Sequence, residues 1–592
     1  WDRKVDKEDD YFAAQTVDGV PVRGQYKLHE MVTTTKLTFD EAVAQRNIPV
    51  VSHEVGQYSV YPDISEIEKY TGVLRPINFE SIKKNLEEHN LIKYAKDFTL
   101  GSGKLALYLY KDELEAAIRT KGLGGIQLLD LHDFPGQSTA TVGILNCFWE
   151  SKGITTSDYF RKFCNAIVPL ALLDKRIFLN NETLKVETQV ANYFQEDLVD
   201  VEVLYEINDK EEVIFSNSLG KANIKQGEVA TVGSFEINLE KITEPKELVL
   251  KLIIKNTPYQ NEWNIWVYPD ETVELNDDVI HADKFDDEVI KALKEGKKVL
   301  LTPKEQDVYR TTYGKFFPVF WSPIHFISKD PCGIIANKHV IFDRFPTDRY
   351  INYQWKDIVE KSYSINIDDL PLDFEPIVQV IPNFYNNAKL ANLFECKVGK
   401  GKLFVTSIDL ETDIDKRITA KALRNSIYRY LNSDAFDPRQ SLELASLVKV
   451  FTPKPQYELD LVDVALYKKA FASSEMEGHP ASYGNDNNLN TAWEAKDFSN
   501  GQHWTVDLGQ VYEIVGTKIT FSEKANYLYA IQTSVDGNEY KIVVNQTGQT
   551  STDQERFDEF TDQARFIRIV YNGLPKNVKA SHKEVKVYIK KK

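Results

Sequence analysis

Ile48-Pro49-Val50-Val51-Ser52-His53-Glu54-Val55-Gly56-Gln57-Tyr58 decides how the first part of this chain reads. A short apolar run ends abruptly in His, Glu, Gly and Gln. A run of that length bounded by turn residues reads as a buried strand. A second stretch is built the same way: Gly125-Ile126-Gln127-Leu128-Leu129-Asp130-Leu131, closing in His132-Asp133-Phe134-Pro135-Gly136-Gln137. Between them Phe79, Ile82 and Leu86, then Leu91, Tyr94, Ala95 and Phe98, recur mostly at helical spacing, and a helix ends near Gly122. Strand, helix, strand with short connections predicts a parallel α/β sheet or barrel over residues 1–170. Such folds put their active sites at the C-terminal strand tips. Adjacent strands would therefore bring His53, Glu54, Gln57, Asp130, His132 and Asp133 to one rim. By ligand type His53, Asp130 and His132 suit a metal, but no His-x-His or HExxH spacing supports one.

Working outward, the pattern changes at residue 171. Leu184, Val186, Thr188 and Val190, then Val201, Val203, Tyr205 and Ile207, alternate with polar neighbours, which predicts a β-sandwich over 171–272. Residues 273–445 return to α/β: a helix ends at Gly296, strands follow at 298–301 and 401–407, and a helix closes at Leu431. Pro453-Lys454-Pro455 marks a linker over 446–460, and 461–592 is β-rich with turns such as Asp536-Gly537-Asn538. No repeat at a fixed period is present, which argues against a solenoid.

The 592 residues are enough for three to five domains, and 31 Phe, 30 Tyr and eight Trp can fill several cores. A net charge of −17 excludes general nucleic-acid binding and suits a neutral or cationic small ligand. Four scattered cysteines exclude a zinc ribbon and a disulfide-dense scaffold, and Cys147 and Cys164 read as buried thiols. No apolar run approaches the roughly 20 residues of a membrane span, and no signal peptide is visible before the acidic opening.

His53 to Tyr58, Tyr61-Pro62-Asp63, Lys69-Tyr70-Thr71-Gly72-Val73-Leu74 and Gly125 to Gln137 resemble the second half of the catalytic barrel of glycoside hydrolase family 2, in its β-galactosidase-like, polysaccharide-degrading branch. The resemblance implies a (β/α)8 barrel, of which residues 1–170 are the C-terminal part, and a retaining mechanism. It places Glu54 as nucleophile on the seventh strand and residues 125–131 as the eighth. It makes His53, Gln57, Tyr58, Asp130, His132 and Asp133 substrate-binding or orienting groups, with Tyr58 or Tyr61 stacking on sugar. A retaining glycosidase needs two carboxyl groups about 5–5.5 Å apart, one ionised and one with a raised pKa. The family's acid/base is a Glu after Asn on the fourth strand. No Asn-Glu dipeptide precedes Glu54, and Glu30, Asp40 and Glu41 lie in other contexts. The 53 residues before Glu54 hold one or two strand-helix units of about 30 residues, so strands one to about five are expected to be absent. The expectation is the C-terminal part of a larger enzyme, incomplete alone, with an open edge for the missing N-terminal half of the barrel.

Residues 171–272, ending in Trp263-Asn264-Ile265-Trp266-Val267-Tyr268-Pro269, resemble the immunoglobulin-like sandwich that accompanies this family. Phe317-Pro318-Val319-Phe320-Trp321, Phe345-Pro346-Thr347, Gln354-Trp355 and Val398 to Lys402 resemble a class I glutamine amidotransferase-like, flavodoxin-like domain over 273–445. Neither Cys332 nor Cys396 stands in a nucleophile elbow, so this domain reads as non-catalytic. Ala472-Ser473-Ser474, Asp486 to Trp493, Trp504 to Gly509, Ser534 to Gly537, Arg565 to Ile569 and Glu584-Val585 resemble a discoidin, or F5/8 type C, domain, a class that includes carbohydrate-binding module family 32. That likeness implies a structural Ca²⁺ held by Asp486, Thr491 and Glu584, sugar contacts from Tyr483, His503, Asn526 and Tyr527, and core positions for Trp493 and Trp504. The expected activity is retaining hydrolysis of a β-linked poly- or oligosaccharide outside the cytoplasm, in the periplasm or secreted. The rival is a non-catalytic carbohydrate-binding or assembly protein with a degenerate barrel.

Overall fold

A computed structural model describes residues 10–26, 28, 33–322, 330–453 and 461–590. The chain divides into two compact units, Trp1–Trp321 with Ser328–Thr452, and Ser322–Ile327 with Pro453–Lys592.

The first unit opens with three parallel strands, β1 (Phe12–Ala14), β2 (Val50–Val55) and β3 (Leu123–Leu128), in the spatial order β1-β2-β3. Two helices connect β2 to β3. α1 (Ile77–Glu88) buries Phe79, Ile82 and Leu86, the spacing that predicted it. α2 (Ala95–Arg119) is buried along most of its length and ends one turn before Gly122, whose φ is +77°. Among the described residues the sheet has these three strands only. Closure into a barrel is not seen, and the outer edges of β1 and β3 have no strand partner there.

The sandwich of the same unit sets a five-stranded sheet against a three-stranded one, with Trp263, Ile265, Leu250 and Leu252 in its core. The following α/β part is mixed. Val279–Ala282, Lys298–Leu301 and Gly401–Thr406 run parallel, and the strands beyond them pair antiparallel. This departs from the doubly wound parallel sheet of a flavodoxin-like fold. Its helices include α3 (Asp287–Lys294) and α4 (Ile418–Leu431). These three segments share one core. A single cluster contains Tyr58 and Tyr110 from the first, Trp266 and Tyr268 from the second, and Leu300, Trp355 and Phe404 from the third. The boundary at 445 also moves. Leu444–Val450 is a helix whose Leu447 and Val450 are buried, so the start of the expected 446–460 linker is packed into the core. The prolines drew attention from that apolar spacing, and residues 454–460 lie outside the described residues.

The second unit is an antiparallel β-sandwich. Its long strand Gln502–Phe521 pairs with Glu555–Tyr571 and with Ser581–Lys590. Trp493 and Trp504 are wholly buried in its core, as expected.

Among the described residues no helix is long and apolar enough to cross a membrane.

Candidate functional site

Parallel strands present side chains at their C-terminal tips. Gln15 follows β1 directly, Glu54 is the penultimate residue of β2, and Asp130 stands two residues beyond β3. Glu54 adopts φ +57°, a left-handed conformation uncommon outside glycine. Its side chain is 23% exposed and is not walled in by hydrocarbon. Oε2 accepts hydrogen bonds from the side-chain amides of Gln15 and Gln57, and the Arg23 guanidinium lies 4.0 Å away. His53 Nε2 stands 3.7 Å from Oε1, while its Nδ1 is 2.6 Å from Gln127 Oε1. The carboxylate is thus oriented from several sides with one face left open.

Gln57 is a positioning group rather than a surface one. It is buried, and its Oε1 accepts from Trp321 Nε1 at 3.2 Å. Trp321 comes from the α/β part of the same unit.

Beneath the rim lies Glu113 of α2, fully buried. It accepts from Gly24 N at 2.6 Å, Gly56 N at 3.1 Å and the Tyr58 hydroxyl at 2.6 Å. Arg23 donates to Gly56 O at 3.0 Å. Burial pushes the Glu113 carboxyl up, and Arg23 with these donors opposes the rise. Gly56 has φ +97°, and a Cβ there would meet the Tyr110 ring at 2.4 Å, so only glycine fits.

Two expected sugar-facing residues are therefore corrected. Tyr58 is wholly buried, so its ring cannot stack on a ligand, and its hydroxyl is spent on Glu113. Tyr61 is equally buried and donates to Asn387. Asp133 is also structural. It is buried against Lys152 Nζ at 2.7 Å and accepts from Gly143 N at 2.8 Å. Its burial and the ion pair with Lys152 explain why it does not join the rim.

Asp130 and His132 do reach the rim. They pair at 3.3 Å, and the His132 ring stacks on Trp149 with centroids 4.4 Å apart. Trp149 is 63% exposed. A largely exposed indole beside the strand tips is the kind of platform on which a sugar face packs. The sequence reading passed over Trp149, although Cys147-Phe148-Trp149 soon after the eighth-strand motif was a usable signal. Glu113 was missed because Lys111-Asp112-Glu113-Leu114-Glu115 looks like a solvated helix face. Among the described residues no three His, Cys, Asp or Glu side chains converge as a metal site, and His53 turns to Gln127 rather than to Asp130.

Asp40 and Glu41 lie exposed on a short helix, and Glu30 lies outside the described residues. Cys147 and Cys164 are half-buried rather than buried, with Cys147 3.1 Å from the Tyr70 hydroxyl. Cys332 is buried, and burial pushes its thiol up to about 12, far from the thiolate a nucleophile requires. Cys396 is shifted the same way.

In the second unit Glu584 is buried, accepts from Asn487 N at 2.8 Å through Oε2, and leaves Oε1 without a partner. Burial and the neighbouring Asp486 charge push its carboxyl up. Thr491 Oγ1 donates to Asp486 Oδ2 at 2.7 Å. Of the four expected sugar contacts, Tyr483, His503 and Asn526 are half-buried. Tyr527 is wholly buried, with its hydroxyl 3.1 Å from Ser581 Oγ, so it belongs to the core. An exposed alternative is Phe498, 58% accessible, with Lys579 Nζ 5.5 Å from its ring centre and bonded to Glu494 at 2.8 Å.

Residues 469–584 match the family model for the F5/8 type C domain. Residues 182–269 and 280–452 match two domains of unknown function, DUF8488 and DUF8487. No curated protein matches the chain. Among solved structures, the family 32 carbohydrate-binding module of Clostridium perfringens NanJ, in complex with galactose, is 24% identical, covering 22% of this chain and 99% of that one at a TM-score of 0.20. Chitosan-binding module 1 of a Paenibacillus sp. IK-5 chitosanase/glucanase is 26% identical, covering 22% and 99% at 0.20. A Clostridium perfringens family 89 glycoside hydrolase is 24% identical, covering 22% and 15% at 0.21. The C-terminal part of this chain carries an F5/8 type C domain.

Proposed function

We propose that the chain is the nucleophile-bearing part of a retaining β-glycosidase, β-galactosidase-like, joined to a carbohydrate-binding F5/8 type C domain. One observation carries this reading. A partly exposed Glu54 sits at the tip of the middle of three parallel strands, oriented by Gln15 and Gln57 and flanked by Arg23 and His53. In the reaction Glu54 attacks the anomeric carbon and forms the glycosyl ester as the bond to the leaving oxygen breaks and that oxygen takes the donor's proton; water then cleaves the ester, releasing the sugar and restoring the Glu54 carboxylate. Asp130 and His132 bind hydroxyls, and Trp149 carries a sugar face. The proton donor comes from barrel strands that pair with the free edges of β1 or β3. The substrate is a poly- or oligosaccharide, which puts the protein in the periplasm or outside the cell.

In the second unit Ca²⁺ fits the orphaned Glu584 oxygen together with Asp486 and Thr491, all hard oxygen donors. It would tie these loops together rather than take part in hydrolysis. Sugar binding there is assigned to the Phe498, Glu494 and Lys579 surface, with His503 and Tyr483 as secondary candidates.

The test uses activated 2-deoxy-2-fluoro aryl glycosides of the β-galacto and β-gluco series. Their leaving group departs without a proton, so labelling does not wait for the acid/base. Mass spectrometry should find one sugar esterified to Glu54 and none on Glu54→Gln. A second reading, a non-catalytic glycan-binding protein, is favoured by the lack of a donor carboxylate beside Glu54 among the described residues. It is adopted if no series labels Glu54 while the protein still binds immobilised β-glycans through Phe498.

A further inference from the structure

Lys111 of α2 and Asn261 of the sandwich strand Gln260–Tyr268 are 150 residues apart in the chain and meet inside the first unit. Lys111 Nζ donates to Asn261 Oδ1 at 2.6 Å. A carbonyl bond is about 1.2 Å long, so Nζ lies within about 3.8 Å of the carboxamide carbon Cγ. That is near the roughly 3–3.5 Å separation of atoms poised to react. An amine held against a carboxamide is a nucleophile held against an acyl carbon.

The neighbouring groups stand where acyl transfer needs them. Glu262 N donates to Asn261 Oδ1 at 2.9 Å, a backbone donor on the oxygen that gains charge during attack. Glu115 Oε1 accepts from Lys111 Nζ and, at 2.8 Å, from Asn261 Nδ2. One carboxylate oxygen thus touches both the attacking and the leaving nitrogen, and can carry protons from the first to the second. Trp263 Nε1 fixes Glu115 Oε2 at 3.0 Å, and Pro169 O accepts from Asn261 Nδ2 at 3.0 Å.

The surroundings are dry. Lys111, Glu115 and Asn261 are each at most 3% exposed, and Nζ lies 5.0 Å from the Phe163 ring centre and 4.8 Å from that of Trp263. Water, the competing nucleophile, is kept out. Burial pushes the Lys111 ammonium down, towards the amine that attacks. At Glu115 burial is outweighed by Lys111 and Arg119, and the carboxyl stays ionised, as a base must. A structural ion pair needs only Lys111 and Glu115. The carboxamide that bridges them supplies the electrophile.

We propose that Lys111 and Asn261 become joined by an isopeptide bond, with Glu115 as proton carrier, clamping α2 to the sandwich. Lys111 gives one proton to Glu115, and the free amine attacks Cγ. The Cγ–Nζ bond forms as the carbonyl electron pair moves onto Oδ1. Glu115 passes its proton to Nδ2 and takes a second from Nζ. The carbonyl re-forms as the Cγ–Nδ2 bond breaks and ammonia departs. Ammonia removes the proton from Glu115 and leaves as ammonium, which restores the carboxylate. Carboxamides are weak electrophiles, so the reaction is slow, and the newly folded chain holds the Lys111–Glu115 ion pair as its reactant state. The bond is independent of the glycosidase reading.

Mass spectrometry of the full chain tests it, on samples reduced, held at neutral pH and taken over several days. The intact mass should fall by one ammonia. Trypsin should no longer cut after Lys111, and residues 105–119 should appear joined to residues 256–284, with fragment ions placing the link on Lys111 and Asn261. Glu115→Gln keeps the side chain's size but cannot take a proton, and should slow the loss of ammonia at least tenfold. The parent chain decides the matter even where that variant does not fold. An unchanged parent mass with normal cleavage after Lys111 would overturn the proposal. So would hydrolysis of the Asn261 amide without a link, a link between Lys111 and any other residue, or equal rates in a folded Glu115→Gln variant.

Discussion

Glu113 and Glu54 show how differently two carboxylates are used a few residues apart in space. Glu54 is partly open and held by amides. Glu113 is closed in and ties Gly24, Gly56 and Tyr58 to α2. Replacing Glu113 by Ala strands two backbone amides and a phenol in the core. Hydrogen bonds to a charged group are worth about 1.5–3 kcal/mol each, and losses of this kind reach roughly 3–5 kcal/mol in all. Glu113→Ala should lower stability by about that much, read by urea denaturation. Glu113→Gln should cost less but still displace the Gly56 turn, and so reduce the rate of Glu54 labelling by the fluoro sugar. Unchanged labelling in Glu113→Gln would mean that Glu113 holds the fold but does not position Glu54. Glu54 and Asp130 were legible in the sequence because a carboxylate after an apolar run marks a strand tip. Glu113 was not, because its burial is decided by residues 23–24 and 56–58, far from it in the chain. Tyr58 and Asp133 misled for the same reason: a polar group beside a motif was read as facing ligand, and long-range packing turned it inward.

One strand of the second unit concentrates that domain's chemistry. Ser581–Lys590 carries His582 and Glu584, both buried, opposite Phe521 and Thr520 of the long strand. His582 packs between Trp493 and Trp504, and Tyr571 OH lies 2.8 Å from its Nδ1. Burial pushes the imidazole down to about 3 from an ordinary 6.5. The unfolded chain therefore takes up a proton below pH 6.5 while the folded domain stays neutral to about 3. Stability is complete above pH 6.5 and falls as pH drops towards 3, by an amount on the order of 4–5 kcal/mol. His582→Gln should flatten that acid limb of the stability curve. A limb of the same slope in the variant would assign the loss to other groups. Glu584, two residues on, gives the metal prediction. Ca²⁺ should raise the melting temperature of this unit and a chelator should lower it, with Glu584→Gln insensitive to both. The two tryptophans and the turn residues made this domain readable in sequence. The inward turn of Tyr527 was hidden because it lies in the loop before the strand Tyr529–Ser534, where no periodicity assigns a side chain to a face.

At the scale of the whole first unit, the three segments the sequence separated are joined by buried ions. Lys111 Nζ bonds to Glu115 and to Asn261 Oδ1 at 2.6 Å, and Trp263 Nε1 donates to Glu115 Oε2 at 3.0 Å. Arg176 of the sandwich pairs with Asp112 at 3.0 Å and stacks over Tyr353 of the α/β part. Burial pushes the Lys111 ammonium down, and its pairing with Glu115 offsets only part of that. For Glu115, burial is outweighed by Lys111 and Arg119, and its carboxyl lies below the usual range. Each segment alone has a legible pattern, but these charges have no meaning within one segment. An isolated α2 would have to solvate Lys111 and Glu115, and an isolated sandwich would leave Asn261 and Trp263 Nε1 facing the void where α2 stood. Removal of one partner from a buried pair costs roughly 3–5 kcal/mol because the other charge is left uncompensated. Glu115→Ala should therefore destabilise the whole unit by about that amount, and the unit should still unfold in one calorimetric transition. Because the folded Glu115 carboxyl is depressed, the stability it supplies is present above the ordinary carboxylate pKa and is lost as pH falls. The variant should differ most from the parent at neutral pH and converge with it in acid. If the sandwich melted separately, leaving the α2 and α/β signals intact, the buried ions would be passengers and the three segments independent domains after all.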